Sequence, residues 1–508
     1  MTNLDWGVLI FYFIFTIALG AIIGKKTTNV SEFFSGGREF KWWAIGLSVM
    51  ATQISAITFI GAPGWAYQDG LKPLVLNLNI PIVMWIISGT FIPFFYNLEI
   101  VSVYEYIEKR FGKKIRLLLV FTYILKMLLV IGSIVYVPSL ILSKITGLSL
   151  NYTISLIVII SIFYTILGGI QTVIWTDVFQ MLALWLGIAI SVITVFKNTP
   201  YSVEEIFHIA KESDKLLSLD FNTSFKSANT FWAGLFGGGI LHIAYFGVDQ
   251  TQVQRVLTAK SLDNTKYSLW FSGIFSVIQM FFFLIIGIVL FVFYKGQPFD
   301  NANEVYIKFA LEEIPKGYLG VIIAAVFAAT MSSIDSSLNS MTTVFMKDIY
   351  DVHFKEKINI SEMNATRIIT GFFGIIIAYF AFNVSVSNSS VLEVISKYGS
   401  YLLGAMLGVF SLGMFTEKTN ENGVLVGFIS GLLGTALISS IFNPFWMWNN
   451  LIGFFITTTF GYMFSISSLE ERINAKKYMM NKTYFEKNSL ILLVYFIFIM
   501  IALYFLNI

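Results

Sequence analysis

Long apolar stretches, repeated from one end of the chain to the other, constrain its fold more than any other feature. A helix needs about 20 mostly apolar residues to cross a bilayer. Hydrophobic residues make up 56% of the 508 residues and charged residues only 12%, so we predict an all-α polytopic membrane protein. About fourteen segments fit this length, near residues 6–24, 42–69, 72–97, 116–143, 151–169, 171–196, 230–249, 267–294, 318–346, 364–384, 389–415, 423–442, 447–467 and 488–506.

The first of these segments is interpreted as a retained helix and not as a signal peptide. The residues before it are acidic, and no small-residue cleavage pattern follows it. The chain has no cysteine, which excludes disulfides, thiolate metal sites and a cysteine nucleophile.

The positive charges between the segments indicate an orientation. With the N-terminus outside, the inward loops hold 22 of the 33 lysines and arginines, and the outward loops hold nine. This asymmetry predicts both termini outside in a cell (plasma) membrane, which we expect to be a bacterial inner membrane. The net charge of +3 reflects topology, so the lipid bilayer is the expected partner and nucleic acid is not.

Two segments are poor continuous helices. Residues 50–58 are polar at mid-span and are followed by Gly-Ala-Pro-Gly at 61–64, and a later segment carries Gly237-Gly238-Gly239 before His242. Free backbone groups at membrane depth are tolerated where they line a cavity, which favours a transporter. Close helix packing on glycine, with one proline kink, is the alternative.

The two interrupted segments are five helices apart, and five is odd, so two tandem five-helix units would have opposite orientations. We therefore predict one transporter domain over residues 1–508. Its parts are an extra helix at 6–24, a first repeat at 42–196, a second, inverted repeat at 230–415, and extra helices at 423–508.

A serine-rich stretch at 328–340 carries a carboxylate near the bilayer centre. An ionisable group at this depth costs roughly 2.5–3.5 kcal/mol on insertion scales, so a functional role is expected. Ser332, Asp335, Ser336 and Asn339 share one helical face. Their oxygens are hard donors, which suit an alkali or alkaline-earth cation.

Other charged groups lie within the predicted spans. Asp177 is either a helix N-terminal carboxylate or a partner of Asp335 across a bound cation. Lys126 either snorkels or lines a pocket, while Glu393 and Lys397 either pair with each other or meet a substrate.

Five short motifs, in order, carry a family resemblance: residues 51–59 (ATQISAITF), 104–111 (YEYIEKRF), 168–177 (GGIQTVIWTD), 250–255 (QTQVQR) and 332–340 with 347–350 (KDIY). With these motifs the chain resembles the sodium/solute symporter family. The resemblance implies a LeuT-like core of two inverted five-helix repeats, with discontinuous helices and flanking helices.

The resemblance also implies the ligands of the coupling ion, sodium. One sodium would be held by backbone carbonyls of three residues and hydroxyls of two, namely Ala51, Ile54, Ala329, Ser332 and Ser333. A second sodium site, present in sialic acid carriers, would match Asp177, Ser332, Asp335 and Ser336. Those carriers have serine where this chain has Asp335.

Substrate residues follow from the same comparison. They would lie beside the two broken helices, and the candidates are Gln53, Ser55, Thr58, Asn77, Tyr245, Phe246 and Asp249. Val130 stands where sialic acid carriers have a carboxylate-binding arginine, and Lys126 lies one turn away.

The prediction is a sodium-coupled secondary active symporter, acting as a monomer, that imports a small polar solute by alternating access. A sugar, a polyol and an organic anion all remain compatible as solute. A proton-coupled transporter of the same fold is the alternative, and an ion channel is a more remote one. No nucleophile–base pair or cofactor motif indicates an enzyme.

Overall fold

A computed structural model describes residues 1–27, 29–386 and 390–507 of the chain, without the side chains of residues 137, 384–386, 390–398 and 507. The described residues are mainly helical. They contain no β-strand, and Phe40 and Ala259 form an isolated bridge.

The first half of the chain contains α1 Asn3–Gly24, α2 Val30–Ser35, α3 Trp42–Gln53, α4 Ala56–Asp69, α5 Val75–Leu78, α6 Ile80–Gly89, α7 Phe91–Asn97, α8 Val103–Phe111, α9 Lys113–Thr146, α10 Leu150–Asn198, α11 Val203–Glu212 and α12 Gly239–Gly247. The second half contains α13 Gln250–Val256, α14 Leu262–Phe293, α15 Asn303–Glu313, α16 Tyr318–Val344, α17 Asp351–His353, α18 Glu362–Val386, α19 Ser390–Phe415, α20 Glu421–Phe442, α21 Trp448–Met463, α22 Leu469–Lys476 and α23 Leu490–Asn507.

Nine helices in the described part of the chain are long and apolar enough to cross a membrane, and ten if α3 and α4 form one bent span. This is fewer than fourteen, for two reasons. First, α10 runs through two predicted segments as a 49-residue helix bent at Gly169. Second, two predicted segments correspond to shorter helical stretches within 233–247 and 448–463, and the side chains of α19 before residue 399 lie outside the described residues. Fourteen crossings and the inverted repeat therefore stay predictions.

The predicted break in the second segment is confirmed. α3 and α4 meet at an angle of 64°. Between them, Ile54 and Ser55 are extended, with ψ of 113° and 164°. Because the helix ends at Gln53, its last carbonyls lack the full set of helical amide donors. The Thr52 carbonyl instead accepts a hydrogen bond from the Tyr245 hydroxyl at 3.5 Å.

The second interruption lies later than the glycine run. Residues Ala233–Gly238 form a wide π-helical turn that continues into α12, so the backbone stays helical through Gly237–Gly239. The helix breaks instead at Val248 and Asp249, before α13. Close packing explains the glycines here, because a Cβ on Gly234 would clash with the Val75 carbonyl.

The serine-rich stretch lies in α16, the most enclosed of the apolar helices in the described residues, with 94% of its most apolar window buried. It packs against α10, α1, α9, α3 and α4. At its start, Asp5 Oδ1 of α1 accepts hydrogen bonds from the amides of Gly317 and Gly320, at 2.8 and 3.0 Å. These hydrogen bonds anchor the start of α16 to α1.

Candidate functional site

The end of α3 contacts the serine stretch of α16. Thr52 Oγ1 and Ser336 Oγ are 3.0 Å apart and hydrogen-bonded. One turn earlier, the Ser333 hydroxyl donates to the Ala329 carbonyl at 3.1 Å. The predicted ligands of the first sodium therefore lie on α16 and at the end of α3, two helices in contact. Uncharged oxygens of this kind fit a weakly held monovalent cation.

Asp177 is the centre of a buried polar cluster. Its Oδ1 accepts a hydrogen bond from Ser332 at 2.5 Å. Its Oδ2 accepts one from Ser48 at 2.5 Å and one from the Arg255 guanidinium at 2.9 Å. Arg255, which the charge pattern assigned to an inward loop, is fully buried in α13. An arginine thus neutralises one of the two carboxylates that were predicted to share a cation.

Asp335 has different partners. Its Oδ2 accepts a hydrogen bond from Tyr164 at 2.8 Å, and its Oδ1 accepts one from Ser336 at 3.3 Å. No cationic side chain of the described residues forms an ion pair with it. The four residues predicted for a second sodium therefore form two separate hydrogen-bonded pairs. Ser332 donates to Asp177, and Ser336 donates to Asp335.

A cavity of about 660 Å³ lies along the first broken helix. It is lined by Gln53, Thr58 and Asn77, three of the predicted substrate residues. It reaches Gln68 and Asn303, both exposed, at its other end. Residue 303 belongs to a loop region that the charge pattern assigns to the outside, so we call this space the outer cavity.

A second space of about 340 Å³, which we call the inner cavity, is lined by residues of α3, α9, α12 and α16. Among the predicted substrate residues it is lined by Gln53, Ser55, Tyr245 and Asp249, and the sodium-site residue Ser333 also lines it. Gln53, Leu241 and Trp446 line both cavities and form the partition between them.

Lys126 also lines the inner cavity, where its ammonium donates a hydrogen bond to Asp249 Oδ2 and forms an ion pair with it. Lys126 is 8% exposed and Asp249 1% exposed. Of the two positions left open for Lys126, the pocket position matches this geometry, whereas its pairing with Asp249 was not predicted.

One predicted substrate residue, Phe246, lines neither cavity. Phe246 is buried behind Tyr245, with ring centroids 5.0 Å apart. His242 lines the outer cavity and its Nδ1 lies 2.6 Å from Asn79 Oδ1, a contact that holds α12 against α6. The side chains of Glu393 and Lys397 lie outside the described residues.

Sequence reasoning missed Ser48, Tyr164 and Arg255 as site residues. Arg255 carried a signal, because it ends a recognised motif and is an arginine next to apolar segments. Ser48 and Tyr164 carried none, since each lies within an ordinary apolar helix.

This geometry can be compared with known proteins. A model of the sodium:solute symporter family matches residues 33–431. The chain belongs to this family. The sodium/sialic acid symporter of Aliivibrio fischeri is 28% identical to it over 459 residues, which cover 88% of this chain and 90% of the relative. The human sodium/iodide cotransporter is 30% identical over 465 residues, covering 87% and 70%. The rabbit sodium-dependent multivitamin transporter is 29% identical over 440 residues, covering 84% and 69%.

Solved structures agree on the fold of the symporter. A Na⁺-coupled sialic acid symporter in a substrate-bound, outward-open state matches with a TM-score of 0.83 at 29% identity, over 91% of this chain and 97% of the other. Mhp1, a nucleobase-cation-symport-1 family transporter, matches at 0.54 and 13% identity, over 88% and 99%, which shows a shared fold alone. The symporter is thus a multi-pass membrane protein that couples sodium to a small solute, and its relatives are transporters and not enzymes.

Proposed function

We propose that the symporter imports a small polar organic solute together with sodium by alternating access. Sugars, polyols and organic anions belong to this class. The observation that carries the proposal is the meeting of two cavities at Gln53, beside a helix break and a row of serines. Solute and ion would then bind next to each other, so each could stabilise the site for the other.

Sodium would be held by carbonyls of Ala51, Ile54 and Ala329 and by hydroxyls of Ser332 and Ser333. Ser333 is the key residue, because it lines the inner cavity and its hydroxyl now donates only within its own helix. We propose one sodium per cycle, since Arg255 already supplies a positive charge at Asp177. The group Asp177, Ser332, Asp335 and Ser336 remains the candidate for a second ion.

One sodium is energetically sufficient. An inward potential of 100 mV gives about 2.3 kcal/mol per charge. A tenfold sodium gradient adds about 1.4 kcal/mol, and the sum supports a solute gradient of several hundredfold.

The test of this sodium site needs no knowledge of the solute. Purified symporter in detergent should be stabilised against heat by sodium chloride more than by potassium chloride at equal ionic strength. The variant Ser333→Ala should need at least tenfold more sodium for the same shift. Ser440→Ala is the matched control, because Ser440 is an exposed helix serine that also donates to its own backbone.

Equal stabilisation by both salts in the wild type would contradict a sodium-selective site. The proton-coupled alternative predicts instead that solute uptake into proteoliposomes follows a pH gradient without sodium. A channel would pass sodium current with no solute present.

A further inference from the structure

The ion pair of Lys126 and Asp249 joins two separate elements at the wall of the inner cavity. Lys126 belongs to α9, and Asp249 lies at the break between α12 and α13. They are the two charged side chains that line this cavity among the residues whose side chains are described. The cavity therefore offers one positive and one negative group that presently neutralise each other.

The two partners differ in freedom. Asp249 is the N-cap of α13, and its Oδ1 accepts a hydrogen bond from the Thr251 amide at 2.9 Å. This bond fixes the carboxylate, so Oδ2 stays directed at Lys126. Lys126 has a long flexible side chain whose ammonium lies 5.5 Å from the Tyr123 ring centre. The lysine can swing aside while the aspartate stays in place.

Charge balance then restricts which solutes can use these groups. A solute with only a negative charge would take Lys126 and leave Asp249 buried and unpaired. A solute with only a positive charge would leave Lys126 unpaired, and an unpaired buried charge is strongly unfavourable. A solute that carries both charges pairs with both groups, its carboxylate at Lys126 and its ammonium at Asp249.

We propose that the inner cavity binds a zwitterionic solute of amino-acid size between Lys126 and Asp249. The two charges of the solute replace the ion pair between these side chains. The volume of about 340 Å³ accommodates such a molecule. The hydroxyl of Tyr245 and the amide of Gln53 supply further polar contacts along the same wall. This inference rests on the proposed function, because it names the solute class of that site.

Matched compounds test it. Thermal stability of the purified symporter is measured in sodium chloride with the twenty standard amino acids and glycine betaine. Each amino acid that stabilises the protein is then compared with three blocked forms of itself. Its amide keeps only the positive charge, its N-acetyl form keeps only the negative charge, and its N-acetyl amide keeps neither. Lactate, N-acetylneuraminate, glucose and mannitol complete the panel. We expect at least one zwitterion to stabilise the protein, and its three blocked forms to lose at least tenfold in affinity.

Two variants locate the binding groups. Lys126→Met should weaken binding of the active zwitterion at least tenfold, and so should the double variant Lys126→Met/Asp249→Asn, in which neither charge remains unpaired. Asparagine keeps an oxygen for the Thr251 amide. Lys144→Met is the control, because Lys144 lies on the same helix but is exposed. The thermal shift with sodium alone shows that each variant is folded.

The outcomes separate the inference from the proposed function. Sodium-dependent stabilisation by a sugar, a polyol or a simple anion, with none by zwitterions, would overturn the zwitterion site and leave sodium-coupled transport intact. A panel without any active zwitterion would overturn it as well, as would undiminished binding in the double variant. Absence of any sodium effect on the wild-type protein would instead count against the proposed sodium site.

Discussion

At the scale of single residues, the Asp177 carboxylate connects several helices of the core. Its two oxygens receive hydrogen bonds from α3, α13 and α16, through Ser48, Arg255 and Ser332. All four residues are fully buried. Removing one partner of a buried ion pair costs about 3–5 kcal/mol, because the other charge is left unpaired, whereas removing both costs much less.

Arg255→Met should therefore lower the unfolding free energy of the symporter by about 3–5 kcal/mol. The double variant Arg255→Met/Asp177→Asn should recover part of this loss. Thermal or denaturant unfolding in detergent measures both, and strictly additive effects would contradict the ion pair. Lys476→Ala is the control, since the exposed Lys476–Glu417 pair is worth about 0–1 kcal/mol.

The site could be predicted from the sequence only in part at this scale. The residues beside the first broken helix were found because polar groups and a Gly-Ala-Pro-Gly run interrupt an apolar span. The pairings of Lys126 with Asp249 and Arg255 with Asp177 were not found, because they join residues far apart in the chain. Such contacts depend on helix packing, which hydropathy and periodicity do not encode.

At the scale of elements, the bend in α10 is set by one glycine. Gly169 has φ of +54° and ψ of −140°, a conformation open essentially to glycine alone. A Cβ there would lie within 2.4 Å of the Phe33 carbonyl oxygen. The bend also brings Tyr164 and Asp177, on either side of it, to the same face of α16.

Gly169→Ala should destabilise the symporter by about 1–3 kcal/mol, from backbone strain and the clash with α2. The melting temperature in detergent is the measurement. Gly7→Ala in α1 has nothing within 4 Å of its new methyl group and should be neutral or slightly stabilising. A melting temperature for Gly169→Ala equal to that of Gly7→Ala would refute the strain.

Helix breaks were predictable where the chain itself carries the signal. The polar residues 50–58 marked the first break correctly, at Ile54 and Ser55, whereas Pro63 and its glycine neighbours lie inside α4. The second was misplaced because Gly237–Gly239 looks like a breaker but continues as a wide helical turn. The true break at Asp249 is signalled only by an N-cap residue, which is a weak signal inside an apolar context.

At the scale of the whole molecule, the charge asymmetry between loops remains the basis for orientation. The absence of cysteine makes this prediction directly testable, because each introduced thiol is the only one present. Asn3→Cys and Thr223→Cys should react with a membrane-impermeant maleimide on intact cells. Glu356→Cys and Asn481→Cys should react only after the cells are permeabilised. All four positions are exposed in the structure.

The reverse labelling pattern would place both termini inside. Labelling of only some positions on the predicted side would show that the number of crossings differs from fourteen. The broad architecture could be predicted because the length of each apolar segment can be read from the sequence. The number of membrane crossings could not be predicted where a span is short or where two spans are joined in one long helix.

The partition formed by Gln53, Leu241 and Trp446 has a consequence for the speed of the transport cycle. These three side chains line both cavities, and each is half-buried or exposed. Exposed side chains change rotamer in picoseconds to nanoseconds. Rearranging the helices that close the inner cavity is a collective motion, which takes microseconds to milliseconds. Solute should then equilibrate with the outer solution many times before each crossing. Rapid mixing should accordingly show a fast binding phase, followed by a slower step that sets the turnover.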